Sequence, residues 1–369
     1  LQRFEFREGF IGRSIAAPPR PAQIRSGRGI FLIACRLRQP IFHARRRFSM
    51  ELNVQKRRLG RTGLQIAPMV FGGNVFGWTA NAKTSFDILD RFLEAGFNTI
   101  DTADVYSAWA PGNKGGESET IIGDWMKSRG NRADVIVVTK VGSPMGPGKK
   151  GLSAAYIAEA VEASLKRLKT DFIDLYLSHW PDAETPYEET LGAFEQLVKQ
   201  GKTRFIGASN LNAEQLRASL DAAKEHSLPR YDVLQPEYNL YDRGSFEGPL
   251  RDLCIAEEIG VITYFSLAKG FLSGKYRSEA DLGQSARGGG VKAYLNKRGY
   301  RILDALDAVA ARNGAKPAEV ALAWLIAKSG VTAPIASATS LAQLESLIKA
   351  ASLALGVDDM KALDEASAI

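Results

Sequence analysis

The chain has little cysteine, little histidine and no long apolar run. Its two cysteines, Cys35 and Cys254, make no disulfide framework, which excludes a small stapled secreted scaffold and fits a reducing compartment. Three histidines in 369 residues leave no cluster at metal-ligand spacing, and no metal site is expected. The most apolar stretches, "DVIVVTKVG" and "FIDLYLSHW", are strand-sized and broken by charge, far short of the ~20 residues that span a bilayer. No membrane partner is expected. Acidic residues are almost missing from one end: residues 1–49 hold eleven Arg, no Lys, and only Glu5 and Glu8. That segment carries a net +9 of the chain's +7, so the remainder is at −2. The basic character does not belong to the body, and nucleic-acid binding gains no support from it.

Residues 1–49 are Arg-rich, dotted with Pro and Gly, and show no sustained period. They read as a disordered leader, either an organelle transit peptide or a stretch ahead of a true start at Met50. The expected location is cytoplasmic, or organellar if the leader is a transit peptide. Residues 50–369 are expected to form one domain.

From Met50 the pattern becomes regular. "RRLGRTGLQIAP" (57–68) reads as a β-hairpin turning near Gly60–Gly63. Strands are expected at 69–73, 98–101, 135–140, 172–179, 203–209, 231–237, 261–267 and 333–337, with amphipathic helices between them. Ser153, Thr185-Pro186-Tyr187-Glu188 and Asn212–Gln215 read as helix starts, the last two as capping boxes. Alternation of this kind requires parallel strands with helical crossovers. Eight units in this length suit a closed α/β (β/α)8 TIM barrel with an N-terminal hairpin. An open doubly wound sheet is the alternative.

A barrel builds its site at the carboxyl ends of its strands. Asp101 ends the second expected strand and Tyr106 lies just beyond it. Lys140 ends the third, His179 the fourth. Each alone has an ordinary explanation: a turn former, a wet packing residue, a rim charge, a structural imidazole. Their coincidence at one face does not. Asp101 paired to Lys140 would keep a buried ammonium charged. That ammonium would lower the phenol's affinity for its proton, so that Tyr106 could protonate a carbonyl oxygen. A neutral His179 could orient the same carbonyl.

The segments "GFNTIDTADVYS", "VVTKVG", "DLYLSHWPD", "GKTRFIGASN", "LQPEYNLYDR", "YFSLAKGFLSGKY" and "PIASATSLAQLESL", in this order and spacing, resemble the aldo-keto reductases over about residues 58–355. The resemblance implies a barrel that binds a nicotinamide cofactor without a Rossmann domain, with Asp101, Tyr106, Lys140 and His179 as the catalytic tetrad. It implies that Ser209, Asn210 and Gln235 hold the nicotinamide carboxamide and that Phe265 stacks on its ring. Ser266, Leu267, Gly270, Leu272, Gly274 and Lys275 would wrap the pyrophosphate; Ser337, Thr339 and Gln343 would surround the adenosine half. Where many relatives read Gly-Ala-Arg-Asn, this chain reads Ser337-Ala338-Thr339-Ser340. The Arg that grips a 2′-phosphate is missing, and Leu347 replaces an Asn near the adenine. NADPH is the expected cofactor, NADH the alternative, with Lys275 or Arg287 able to compensate. Trp78, Trp109 and Trp180 follow strands and are candidates to line a substrate pocket.

The expected activity is reversible NADPH-dependent reduction of an aldehyde or ketone to an alcohol, with a small-molecule carbonyl substrate. Two other readings remain: a cofactor-sensing β subunit of a potassium channel, and a Schiff-base aldolase using Lys140. "GPGKKG" (146–151) fits a dinucleotide fingerprint by letter. It stands away from any strand-to-helix junction and reads as a rim loop. Nothing in the sequence sets the oligomeric state or the physiological substrate.

Overall fold

Period-two alternation decides which side chains enter the barrel. The computed structural model describes residues 54–369, so the expectation for the leader lies outside the described residues. The hairpin consists of β1 (Arg57–Arg58) and β2 (Gln65–Ile66), antiparallel. Eight further strands follow: β3 (Val70–Gly72), β4 (Thr99–Asp101), β5 (Ile136–Val141), β6 (Ile173–Ser178), β7 (Thr203–Ser209), β8 (Val233–Gln235), β9 (Gly260–Thr263) and β10 (Ala333–Ala336). They are parallel, and the sheet closes in the order β10-β3-β4-β5-β6-β7-β8-β9. This is the expected (β/α)8 TIM barrel.

Helices α1 (Ala82–Glu94), α2 (Glu117–Arg129), α3 (Ala154–Leu168), α4 (Tyr187–Lys199), α5 (Ala213–Glu225), α6 (Pro249–Ala256), α7 (Lys297–Asn313), α8 (Pro317–Ala327), α9 (Leu341–Ser352) and α10 (Val357–Ser367) complete the chain. Two apolar clusters result. Val70, Val138, Leu175, Leu177, Val233, Ile262 and Ala333 fill the barrel. Ile100, Val137, Tyr176, Leu234 and Val261 face outward onto the helices. Among the described residues no helix is long and apolar enough to cross a membrane.

The hairpin stoppers the end of the barrel where the strands begin. Leu59, Leu64 and Ile66 join the interior cluster. Gly60, at φ +54°, packs so closely that a Cβ there would fall 2.4 Å from the Gly260 nitrogen. Only glycine combines that left-handed turn with that approach.

Four local expectations need correction. The strand expected at 261–267 stops at Thr263, because Phe265, Ala268 and Lys269 take positive φ and turn the chain into a 3-10 segment. The strand expected at 231–237 is confined to Val233–Gln235. The capping box at Thr185 does not form: Pro186 takes the N-cap position with no side-chain cap, and the Thr185 hydroxyl donates to Asp182 (2.8 Å). Asp182 also accepts from the backbone of Leu152 and Glu184 (2.8 and 2.9 Å), so it ties the start of α3 to the loop ahead of α4. Finally, α10 has no counterpart in the sequence reading. Its amphipathic signal is thin, and its stability comes from packing on α7 and from Arg243, Arg298 and Arg301, which donate to carbonyls in its last turn. Ser153 caps α3 as expected, accepting from the Tyr156 backbone, and the box at Asn212 forms, with Asn212 and Gln215 capping each other.

Candidate functional site

Inward parity places the polar groups. In β4, Ile100 faces the helices, so Asp101 faces in; in β5, Val138 and Lys140 share the inner face; in β6, Leu175 and Leu177 point in and His179 continues the series one residue past the strand. The last inward position of each strand is thus polar, and all lie at the carboxyl-end mouth. Tyr106 reaches them from the β4–α2 loop. Ser107 adopts φ +73° and donates its hydroxyl to the Phe76 carbonyl (2.6 Å), which folds that loop back over the strand end.

Lys140 Nζ donates to Asp101 Oδ1 (2.7 Å), to the Thr102 carbonyl (2.8 Å) and to the Tyr106 hydroxyl (2.9 Å). The Tyr106 hydroxyl donates to Asp101 Oδ2 (3.0 Å). Lys140 is wholly buried and Asp101 nearly so. An ammonium has three hydrogens, and all three are engaged. Burial pulls the Lys140 ammonium below its ordinary value, against the Asp101 carboxylate, which favours the charge.

The expectation that the ammonium lowers the phenol needs correction. Burial, and then the Asp101 carboxylate, hold Tyr106 well above its ordinary 10.0. In the resting site Tyr106 is a neutral phenol with its proton directed at Asp101. That suits a proton donor, which must keep its proton until charge develops on an acceptor.

His179 is buried, and burial together with Lys140 holds its imidazole well below 6.5. It is neutral at pH 7. Its Nδ1 lies 3.0 Å from the Ser143 hydroxyl, a partner the sequence reading did not find. When Ser143 donates, the ring hydrogen sits on Nε2. The only signal for Ser143 was its place just past β5.

The positions expected to hold the nicotinamide end adjoin the tetrad. Gln235 Nε2 donates to Asp101 Oδ1 (2.8 Å), and Ser209 Oγ to the Gln235 carbonyl (2.7 Å). Asn210, at φ +63°, donates to the His179 carbonyl (2.8 Å) and accepts from the Tyr264 hydroxyl (2.7 Å). Phe265 follows at φ +49°; Ser266 and Leu267 lead into the 3-10 segment Ala268–Ser273, which carries Gly270 and Leu272 and is closed by Gly274. Lys275 is exposed and lies over the Tyr276 ring. Ser337 donates to Asn74 Oδ1 (2.7 Å), while Thr339 donates to Gln343 (2.8 Å from its backbone nitrogen). These last three are joined to the turn after β3 and to α9 rather than to the tetrad.

Trp109 packs edge-on against Trp78 (5.8 Å) and leans on Tyr106 (6.0 Å); Trp180 stacks on His179 (5.8 Å). Trp109 and Trp180 are about half exposed, at 48% and 49%, so they form walls of the mouth. "GPGKKG" is an exposed turn closed by Lys149 onto Gly146 (3.0 Å), with α3 starting only at Ala154.

Asp104, next to the site, is buried with neither carboxylate oxygen hydrogen-bonded among the described residues. Burial, then the charge of Glu119, push it up from 3.8 to about 8. Between those values the folded chain keeps a proton that the unfolded chain has released, so stability falls as pH rises through this window. Melting temperatures of the native protein should therefore drop more from about pH 5 to about pH 8 than those of Asp104→Asn. Parallel slopes in a thermal scan would contradict this.

A model of the Aldo/keto reductase family matches residues 68–368. The chain is 35% identical over 318 residues to the uncharacterized oxidoreductase YrpG of Bacillus subtilis, covering 83% of this chain and 94% of that protein. It is 33% identical over 310 residues to a probable voltage-gated potassium channel subunit beta of Arabidopsis thaliana, covering 80% and 91%. It is 31% identical over 319 residues to the norsolorinic acid reductase stcV of Emericella nidulans, covering 82% and 79%. Given that match across the whole barrel, the chain belongs to the aldo/keto reductase family.

Proposed function

We propose that this protein reversibly reduces an aldehyde or ketone to an alcohol, with NADPH as hydride donor and Tyr106 as general acid. The observation that carries the reading is the closed Asp101–Lys140–Tyr106 triangle, every edge a hydrogen bond of 3.0 Å or less. A carbonyl oxygen at the mouth would take the Tyr106 proton as its carbon is reduced. The phenolate left behind would be held by the Lys140 ammonium, already 2.9 Å away. His179, neutral, would donate a hydrogen bond from Nε2 to the same oxygen. Trp78, Trp109 and Trp180 would narrow the mouth around the substrate.

The residues fit a nicotinamide cofactor on two counts. Ser209, Asn210 and Gln235 form a braced polar ledge against the tetrad. The run of left-handed residues Phe265, Ala268, Lys269 and Gly270 turns backbone groups of the β9 loop into a concave nest of the kind that receives anions. When bound, the cofactor supplies hydride. Ser209, Asn210 and Gln235 would fix its amide, Phe265 its ring, and the turn through Ser266, Leu267, Gly270, Leu272 and Gly274, with Lys275, its pyrophosphate. Ser337, Thr339 and Gln343 would meet the adenosine half.

Fluorescence titration with NADPH and NADH, then turnover on a panel of simple aldehydes, tests the reading. NADPH is expected to bind more tightly, by less than about tenfold, because Thr339 brings no charge to a 2′-phosphate. No binding of either cofactor would refute the proposal. The likeness to channel β subunits supports a second reading, a cofactor-sensing subunit, and aldehyde turnover separates the two. A Schiff-base aldolase is disfavoured: Lys140 has all three hydrogens committed and is a fixed cation rather than a nucleophile.

A further inference from the structure

One hydroxyl near the mouth has a single place to put its hydrogen. Ser143 lies two residues past β5 and is buried. Among the described residues its only side-chain partner is His179 Nδ1, 3.0 Å away. A ring nitrogen can stand on either side of such a bond, so the other options of the two partners decide its direction. Were Ser143 to accept from Nδ1–H, its own hydrogen would be buried without an acceptor, a costly arrangement. Donation to Nδ1 removes that cost. The hydrogen of the neutral imidazole then sits on Nε2, which has no partner among the described residues and is the nitrogen left to a substrate.

A ladder and a tied loop bring the two residues together. The His179 N–H donates to the Val141 carbonyl (2.8 Å), so the pairing of β5 with β6 continues past both strand ends. Gly142, at φ +116°, then turns the chain, and Pro144 keeps Ser143 out of the helical region. The Gly151 N–H donates back to the Gly142 carbonyl (3.1 Å), the Met145 N–H to the Lys149 carbonyl (2.8 Å), and the Leu152 N–H to Asp182 in the loop after β6 (2.8 Å). The exposed "GPGKKG" stretch thus belongs to a loop whose ends are fastened, and Ser143 sits on its fastened arm. The imidazole is held on other sides as well. Asn210 donates to its backbone carbonyl (2.8 Å), Trp180 stacks on its face (5.8 Å, 13°) and Tyr106 meets it edge-on (6.1 Å). None of these contacts distinguishes one ring nitrogen from the other. The bond to Ser143 does.

We propose that Ser143 is a positioning residue for the carbonyl: its hydroxyl donates to His179 Nδ1, which fixes the Nε2–H tautomer and leaves that hydrogen for the substrate oxygen. This rests on the reductase reading above. Ser143 moves no proton and meets no substrate. Its effect passes through the ring, because an imidazole protonated on Nδ1 would turn a lone pair, not a donor, toward the carbonyl oxygen. The hydrogen bond from Nε2 strengthens as charge grows on that oxygen, so the contribution should appear in kcat more than in KM.

The test joins nitrogen NMR of the histidine rings to steady-state kinetics with benzaldehyde, both on the full chain. His179, assigned by difference from His179→Gln, should show a pyridine-type, hydrogen-bonded Nδ1 and a pyrrole-type Nε2. Ser143→Ala should move the Nδ1 signal toward that of an unbonded nitrogen and lower kcat by about three- to tenfold, the worth of one neutral hydrogen bond, with NADPH affinity unchanged. Ser143→Thr keeps the hydroxyl and should restore both. A pyrrole-type Nδ1 in the native protein overturns the proposal. So does a Ser143→Ala variant whose ring signals, or whose kcat, match the native ones, and so does a loss confined to NADPH affinity. If the native protein reduces no aldehyde, the reductase reading fails on its own account, and the ring signals still decide whether Ser143 donates. Should Ser143→Ala not fold, Ser143→Cys takes its place: a thiol is a weaker donor, and ring signals left at their native positions refute the assignment.

Discussion

Tyr106→Phe should cut aldehyde turnover by roughly 10²–10⁴-fold, the span associated with a lost general acid, while NADPH affinity stays close to native. The hydroxyl is the one group of the triangle that both holds a transferable proton and faces a cation 2.9 Å away. Phenylalanine keeps the ring against Trp109 and His179 and removes only that oxygen. Lys140 then retains Asp101 and the Thr102 carbonyl, so the fold should lose only about 1 kcal/mol. Cofactor binding followed by fluorescence, beside steady-state kinetics, separates the two effects. Near-native reduction rates from this variant would dispose of the assigned chemistry.

Lys140→Met should damage both stability and turnover. The ammonium neutralises Asp101 in a setting where both side chains are almost completely shielded from water. Removing one member of such a pair leaves a buried, uncompensated charge. Because Gln235 and Tyr106 still donate to Asp101, the cost should fall near the low end of the usual range, about 3 kcal/mol. For a domain of this size that is a drop in melting temperature on the order of 5–10 °C. Turnover should fall by ~10²–10³-fold, since the developing phenolate loses its counter-cation. Adding Asp101→Asn to Lys140→Met should recover stability without recovering activity, because it removes the stranded charge but not the chemical defect. A single variant that melts and turns over like the native protein would show the pair to be dispensable.

Much of the barrel and its tetrad could be read from the chain because both follow one rule. Alternation along a strand puts every second residue inside, and a polar residue at the last inward position of β4, β5 or β6 must lie at the mouth. Asp101, Lys140 and His179 are local consequences of that rule. What escaped depends on distant contacts. The turn at Phe265 overrides a run of strand-forming residues with positive φ. Thr185 looks like a cap, yet its hydroxyl goes to Asp182. Ser143 has no motif and acquires meaning only from its 3.0 Å approach to His179. The direction of the Tyr106 shift depends on how burial and Asp101 weigh against nearby cations, and spacing along a chain carries no such balance.

The hairpin at the foot of the barrel has a further consequence. Leu59, Leu64 and Ile66 act as a cork made from the chain's own early residues. The lumen is therefore blind, and every molecule that reaches the tetrad must come and go by the same rim. A truncation that cut past Ile66 would do more than trim a tail: it would uncork the vessel, wet Val70, Val138 and Ile262 from below, and undermine the footing of the polar cluster at the opposite end that the deleted segment never touches.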